Sequence, residues 1–423
     1  MDKKINILVI CRSNSGGVGY YRSYNPHKYL ALHYQDIFNV DIVYGFPNTN
    51  IESFYSKYDI VHFNNCIDEK GITLSVLKKM GIISICDIDD YWMLSSHHPM
   101  YQMNMINKQY ESVIHHIRYS DYVTTTTDIF AERIRQLNKN VIVIPNAIDV
   151  EEEQFKPVDK KSDKVRVGVI CGSTHKDDIE LLSSIHSGLK PDVSKKVQFV
   201  LCGYDTNGTT TVLNRKTGES TTMKVSPTNN VWYSYEKILS DNFKRVTPGY
   251  KQFLQLFVDK PFPGNESKEG YVRKWTKPIE SYATHYNDID ILLAPLVECD
   301  FNKYKSQLKA IEAGVFKKAL IAQNYGPYKI DLINADAGNG ELNYDGNALL
   351  VSSNKNRKNW AKYINMLVEN EELRNRIASN LHDTIMSKYT LEKVSKQRAD
   401  AYINIKILQT MQKANNFKHS RHE

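Results

Sequence analysis

Long apolar runs are missing from this sequence. No stretch of its 423 residues approaches the ~20 consecutive apolar residues that a bilayer-spanning helix requires. The amino terminus, MDKKINILVIC, has a short apolar run that leads into a polar, glycine-rich loop, which is not the pattern of a secretion signal. Cysteine is scarce. Cys11, Cys66, Cys86, Cys171, Cys202 and Cys299 are scattered, with no C-x-x-C pair, and this argues against a zinc site or a disulfide framework. Most of them close an apolar run (LVIC, ISIC, GVIC, FVLC), the place of a small buried side chain in a reducing compartment. One-sided charge is missing as well. The 55 basic and 48 acidic residues give +7, interleaved except in the tail KANNFKHSRHE. That balance suits a phosphate-bearing ligand, or peripheral contact with an anionic surface, without calling for nucleic acid. These absences set the expectation of a cytoplasmic protein with no transmembrane segment.

What is present is a repeated alternation. In the first half the β-rich runs NILVIC (6–11), VDIVYG (40–45), DIVHFN (59–64), IISIC (82–86), YVTTT (122–126) and VIVIP (141–145) are separated by helical stretches such as DIFAERIRQL (128–137). Buried β-rich runs that alternate with helices predict a parallel, doubly wound sheet. The polar, proline-bearing stretch 145–164 follows, and then VRVGVICGS (165–173) restarts the pattern. The expectation is α/β, with two Rossmann-like domains facing across a cleft: 1–155 and 160–392. An insertion occupies about 205–270, with a β-hairpin turning at Lys216–Gly218. The run 389–412 reads as a long helix capped by Thr390. Ligands of open α/β sheets bind at the carboxyl ends of the strands, so the loops there carry the function.

Four loops qualify. CRSNSGGVGYYRSYNP (11–26) places Gly17 and Gly19 where a backbone can approach a phosphate closely. It lacks the third glycine of a dinucleotide fingerprint, so a plain tight turn is an equal alternative. Arg22 is an anion contact or a surface residue. CDIDDYWMLSSHHPMY (86–101) brings Asp87, Asp89 and Asp90 beside His97 and His98. Asp89 and His97 are candidates to orient or deprotonate a hydroxyl, with Asx turns and helix capping as the competing account. The D-x-D pattern also admits a divalent metal, but the expectation is that no metal is bound. GSTHKDD (172–178) offers Gly172, Ser173, His175 and Lys176 to a pyrophosphate, with helix capping by Asp177 or Asp178 as the competing account.

The fourth loop is FNKYKSQLKAIEAG (301–314). SQLKAIEAG reads as a short helix stopped by Gly314, and its charges run against the helix dipole. Lys305 and Lys309 lie at the positive amino end and Glu312 toward the negative carboxyl end. A ligand resolves the conflict. Lys305, Ser306 and free N–H groups would take a pyrophosphate, and Glu312 would take the two hydroxyls of a ribose about 9 Å along the helix. A solvated stripe in which Lys309 pairs with Glu312 is the alternative.

Together, GGVGYYRSYNP, DIDD, VIPNAID, GSTHKDD and FNKYKSQLKAIEAG resemble retaining GT-B glycosyltransferases of the family 4 type. The resemblance covers both domains and the terminal helix but not the insertion, and it implies that the end of that helix, about 395–423, crosses back to the first domain. In that family two glutamates spaced as positions 304 and 312 are here close the donor site. The second matches Glu312, and the first falls on Tyr304. The chain resembles a subgroup with an F-N-x-x-K-S pattern, which implies donor contacts from Asn302, Lys305, Ser306 and Gln307. It also implies nucleotide-sugar as co-substrate and no cofactor. The acceptor stays open among a glycan, a lipid-linked sugar and a modified nucleobase, with the glycan first; the basic tail and the inserted hairpin are compatible with DNA without requiring it. A nucleotide-sugar epimerase and a non-catalytic carbohydrate- or nucleic-acid-binding protein are the other readings.

Overall fold

Continuous apolar runs such as IVHF, ILLA and ALIAQ become inner strands, whereas FNVDIVY, in which polar residues are interspersed, becomes an edge. A computed structural model describes residues 3–12, 16–45, 51–64, 72–96, 98–205, 209–213, 220–224, 230–256 and 258–419. Strands β1 (Ile5–Cys11), β2 (Phe38–Tyr44), β3 (Ile60–Phe63), β4 (Ile83–Ile88), β5 (Tyr122–Thr125) and β6 (Val141–Val143) pair in the order β2-β1-β3-β4-β5-β6. Every pairing is parallel. Strands β3 and β4 are buried at every position, as a sheet covered on both faces requires. The edge strand β2 is mostly half-exposed.

The second sheet uses β7 (Val165–Ile170), β8 (Val197–Tyr204), β11 (Tyr271–Trp275), β12 (Ile291–Ala294), β13 (Ala319–Gln323) and β16 (Leu349–Val351). Its order is β11-β8-β7-β12-β13-β16, again all parallel. Two hairpins stand apart from it, β9 (Thr209–Leu213) with β10 (Ser220–Lys224), and β14 (Asp336–Gly338) with β15 (Glu341–Leu342). The expected hairpin of the insertion is therefore present in its strands; the turn at Lys216–Gly218 lies outside the described residues. With the hairpins set aside, the strand order is the doubly wound 3-2-1-4-5-6. Strand β11 was not foreseen. It follows the insertion and is tied to it, because Arg273 on β11 and Glu236 on the helix Val231–Leu239 form a buried ion pair at 2.9 Å. A glycine is obligatory at the end of β8. Gly203 takes φ +95°, and a Cβ there would lie 2.6 Å from the Cys171 carbonyl oxygen.

The chain divides into two compact units. The first comprises Met1–Val150, Asp300–Leu308 and Ser387–Glu423; the second comprises Glu151–Cys299 and Lys309–Met386. In the first, alternate residues of β1 feed two cores. Leu8 and Ile10 pack with Phe63, Phe130 and Ile134 on one face. Ile7 and Val9 pack on the other face with Ala399, Tyr402 and Ile405 of the terminal helix Leu391–His419. Asp300–Leu308 falls in this unit because Phe301 and Tyr304 pack against the first core. That differs from the reading of 160–392 as one domain. Thr390 stands just before the terminal helix, but its hydroxyl has no hydrogen-bond partner among the described residues. Its backbone bridges to Ile148 instead.

Candidate functional site

In the first unit the candidate residues converge on the end of β4. The backbone from Gly17 is helical. It runs through a π-helical stretch, Gly19–Tyr24, into the α-helix Asn25–His33. Pro26 accounts for the wide turn. It has no N–H to return to residue 22, and the preceding Asn25 N–H bonds to the Tyr20 carbonyl, five residues back. Gly17 and Gly19 thus lie in helical backbone, neither with a positive φ, and not in the expected tight turn. The wide turn points Arg22 inward.

Arg22 corrects the sequence reading. It is 1% exposed, and its Nε and Nη2 donate to the two carboxylate oxygens of Asp87 at 3.0 and 2.7 Å. Its Nη1 donates to the Ile144 carbonyl at 2.7 Å and to Asn146 Oδ1 at 3.1 Å. No face of the guanidinium is left for a ligand, so Arg22 is withdrawn as an anion contact. Asp87 is equally occupied, by Arg22, by the Thr124 hydroxyl at 2.7 Å and by Asn64 Nδ2 at 3.1 Å. Burial would raise the Asp87 pKa, but the Arg22 charge and these hydrogen bonds hold it below the ordinary value. Burial would lower that of Arg22, but Asp87 raises it. With both oxygens of Asp87 held in this way, the D-x-D pattern is not open at its first carboxylate. Among the described residues no group of three His, Cys, Asp or Glu side chains is placed to hold a metal ion.

Asp89 is in a different state. It lies 3.5 Å from Asn64 Nδ2. Burial, with the charges of Asp90 and Asp87 adding to it, pushes its pKa up to about 7. His97, its expected companion, lies outside the described residues. His98 is described, with its ring against Phe301 at 5.3 Å.

The segment Asp300–Leu308 is anchored by aromatic contact. Tyr304, at the position where the resembled family has its first glutamate, sits against Tyr91 and Phe130 with centroids 4.9 and 5.5 Å away. Lys305 Nζ lies 4.9 Å from the Phe301 ring. Asn302 and Gln307 are buried, whereas Lys305 and Ser306 are half-exposed. Gln307 donates its amide N–H to the Tyr389 hydroxyl at 3.0 Å. The Ser306 hydroxyl accepts a hydrogen bond from Asn146 Nδ2 at 2.8 Å.

The second unit holds the other candidates. The following helix is Leu308–Val315, so Ser306 precedes it rather than opening it, and the 9 Å helical spacing to Glu312 does not apply. Gly314 is not its stop. Lys317 takes the left-handed conformation at φ +48°. The Lys318 N–H then bonds to the Ala313 carbonyl and the Lys317 N–H to that of Gly314, which is a Schellman termination. Gly314 serves packing instead, since a Cβ there would lie 2.4 Å from Ile385 Cγ1. Glu312 is 1% exposed and accepts a hydrogen bond from the Tyr286 hydroxyl at 2.7 Å. This excludes the solvated stripe. In the loop after β7, Gly172, Ser173 and Lys176 are exposed. His175 Nδ1 lies 2.8 Å from Asp178 Oδ2, whose other oxygen accepts the Val297 N–H. The carboxylate therefore sets the ring proton on Nδ1. Cys171, at the head of this loop, is buried, and burial pushes its thiol up to about 12.

Asn64, Thr124, Asn146 and Tyr286 were missed from the sequence, and Asp178 was read there only as a helix cap. Asp178 had a signal, three residues after His175. Asn146 had one too, next to Pro145 at the first unit's end. The others are brought in by topology alone.

No protein-family model matches the chain, and no curated protein matches it in sequence. Solved structures match its fold. Sucrose-phosphate synthase from Thermosynechococcus elongatus aligns over 95% of this chain and 99% of its own, at 14% identity and a TM-score of 0.61. HepE from Anabaena, in complex with UDP-glucose, aligns over 95% and 100%, at 13% identity and 0.57. An alpha-glucosyltransferase in complex with UDP-glucose and DNA containing an abasic site aligns over 94% and 98%, at 12% and 0.56. At these identities the likeness reaches the fold and no further. The chain has the GT-B fold, with its terminal helix returned to the first unit.

Proposed function

We propose that the protein is a glycosyltransferase that moves a hexose from a nucleotide-sugar to an acceptor, with retention and without a metal ion. One observation carries the reading. Between the helices Asp300–Lys303 and Leu308–Val315 the chain leaves a cation, Lys305, and a hydroxyl, Ser306, half-exposed, while Asn302 and Gln307 are buried. A diphosphate is the ligand such a pair suits. Lys305 and Lys176 would stabilise the leaving diphosphate as charge develops on it, and Glu312 would take the ribose hydroxyls. Asp89, with a pKa near neutrality, suits proton transfer or orientation at the acceptor hydroxyl. The fold neighbours support the donor class, since HepE and the alpha-glucosyltransferase were both solved with UDP-glucose. A glycan is the first acceptor class to test. The neighbour solved with DNA makes a nucleic acid the second.

A panel of UDP-, ADP- and GDP-hexoses, with and without EDTA, tests this. The expected result is release of the nucleotide from one donor, unchanged by the chelator. Interconversion of sugars without nucleotide release would support an epimerase instead, and tight binding with no turnover a binding protein. Activity abolished by EDTA and restored by magnesium or manganese would overturn the metal-free chemistry.

A further inference from the structure

Hydrogen-bond polarity in the first unit runs in one direction from a buried charge to Ser306. Arg22 carries donors only. Since its Nη1 reaches Asn146, the atom of Asn146 that faces it must be the amide oxygen. The amide nitrogen is thereby turned toward Ser306, 2.8 Å from Oγ. Ser306 is thus obliged to accept. Its one proton is not used in that bond, and among the described residues no acceptor for it is found. The anchor behind Asn146 is rigid, because Arg22 is 1% exposed and held on Asp87.

We propose that Asn146 is a positioning residue which, locked by Arg22, commits the Ser306 hydroxyl to donate its proton to an anionic oxygen of the ligand. The inference rests on the reading of Ser306 as a diphosphate contact and adds the source of its directionality. An isolated serine hydroxyl donates or accepts with equal ease. Here one of the two acceptor lone pairs is already taken by Asn146 and the proton is left over, which favours a phosphate oxygen over a ligand group that must itself donate. The network also explains why a buried ion pair sits under this loop. It holds the Asn146 amide in one orientation, and removing either partner of such a pair would release it.

Calorimetric titration with UDP, ADP and GDP, and with the parent nucleosides, tests the inference in four proteins: wild type, Asn146→Asp, Ser306→Ala and the double variant. Asn146→Asp keeps an oxygen toward Arg22 but turns the donor to Ser306 into an acceptor, so the serine proton is captured. Each single variant is expected to weaken the bound nucleoside diphosphate by about 10-fold or more, with nucleoside binding unchanged. The double variant is expected to be no weaker than Ser306→Ala, because the two act through one hydrogen bond. Losses that multiply would mean that the new charge merely repels phosphate, and would overturn the proposal. So would wild-type affinity in Asn146→Asp beside a weakened Ser306→Ala. Wild-type affinity in Ser306→Ala, or no binding of any of the three nucleotides to the wild type, overturns the reading of the site and the inference with it. If the aspartate variant does not fold, the same cycle with Asn146→Ala applies, and additive losses again overturn the proposal.

Discussion

Asp87 and Asp89 are two residues apart on the same strand end, and their environments push them in opposite directions. Asp87 is matched by Arg22, Thr124 and Asn64 and stays ionised. Asp89 has burial and two carboxylate neighbours against it, and its pKa rises from the ordinary 3.8 to about 7. The sign follows directly. Between those values the folded state binds a proton that the unfolded state has lost, so stability falls as pH rises, by at most ~1.4 kcal/mol per pH unit. Asp89→Asn removes that dependence. Compared with the wild type in thermal melts, it should gain stability progressively from pH 4 to pH 7.5. Equal melting shifts at both ends would refute the assignment. The same variant should depress transfer while donor affinity stays near that of the wild type, because Asp89 is assigned to the acceptor. None of this opposition was legible from DIDD alone. Arg22 reads from sequence as an anion contact or a surface residue, because arginines are seldom fully buried, and its partner lies 65 positions away.

At the scale of elements, the helix Leu308–Val315 shows where sequence signals are ambiguous. A glycine near the end of an amphipathic run signals either a helix stop or a close helix approach, and the pattern EAGVF does not choose. The structure assigns Gly314 to the approach of Ile385 and gives the stop to Lys317. These assignments make opposite predictions for two substitutions. Gly314→Ala should destabilise the protein by about 1–3 kcal/mol through overpacking, despite a better helix propensity. Lys317→Gly should stabilise it by about 1 kcal/mol, by relieving a left-handed residue. Urea unfolding of both variants checks the pair. A stabilised Gly314→Ala would contradict the close approach, and a destabilised Lys317→Gly would contradict the placing of the stop at Lys317. The strands, by contrast, were legible, because continuous apolar runs such as ILLA and ALIAQ have few other uses. Strand β11 escaped notice because YVRKW carries two cations, one of which, Arg273, is buried on Glu236 and hidden from any reading by periodicity.

For the whole molecule, the doubly wound pattern was legible because it rests on repeated apolar runs, whereas the return of the terminal helix to the first unit came from the family resemblance and not from its own periodicity. The placement of Asp300–Leu308 was not, since it depends on where Phe301 and Tyr304 find apolar partners. The candidate site was legible as a set of loops; its internal hydrogen bonds were not. The account as a whole claims that the chain binds a nucleotide-sugar, with Lys305 and Ser306 at its phosphates and Glu312 at its ribose. Calorimetric titration of Glu312→Gln and Tyr286→Phe with UDP, ADP and GDP tests that claim most directly. The glutamine keeps an oxygen for the Tyr286 hydroxyl, whereas Tyr286→Phe removes that internal bond and leaves the carboxylate. The account predicts a loss of affinity of about 10- to 100-fold in Glu312→Gln, little change in its melting temperature, and near wild-type affinity in Tyr286→Phe. Unaltered nucleotide affinity in Glu312→Gln would contradict it.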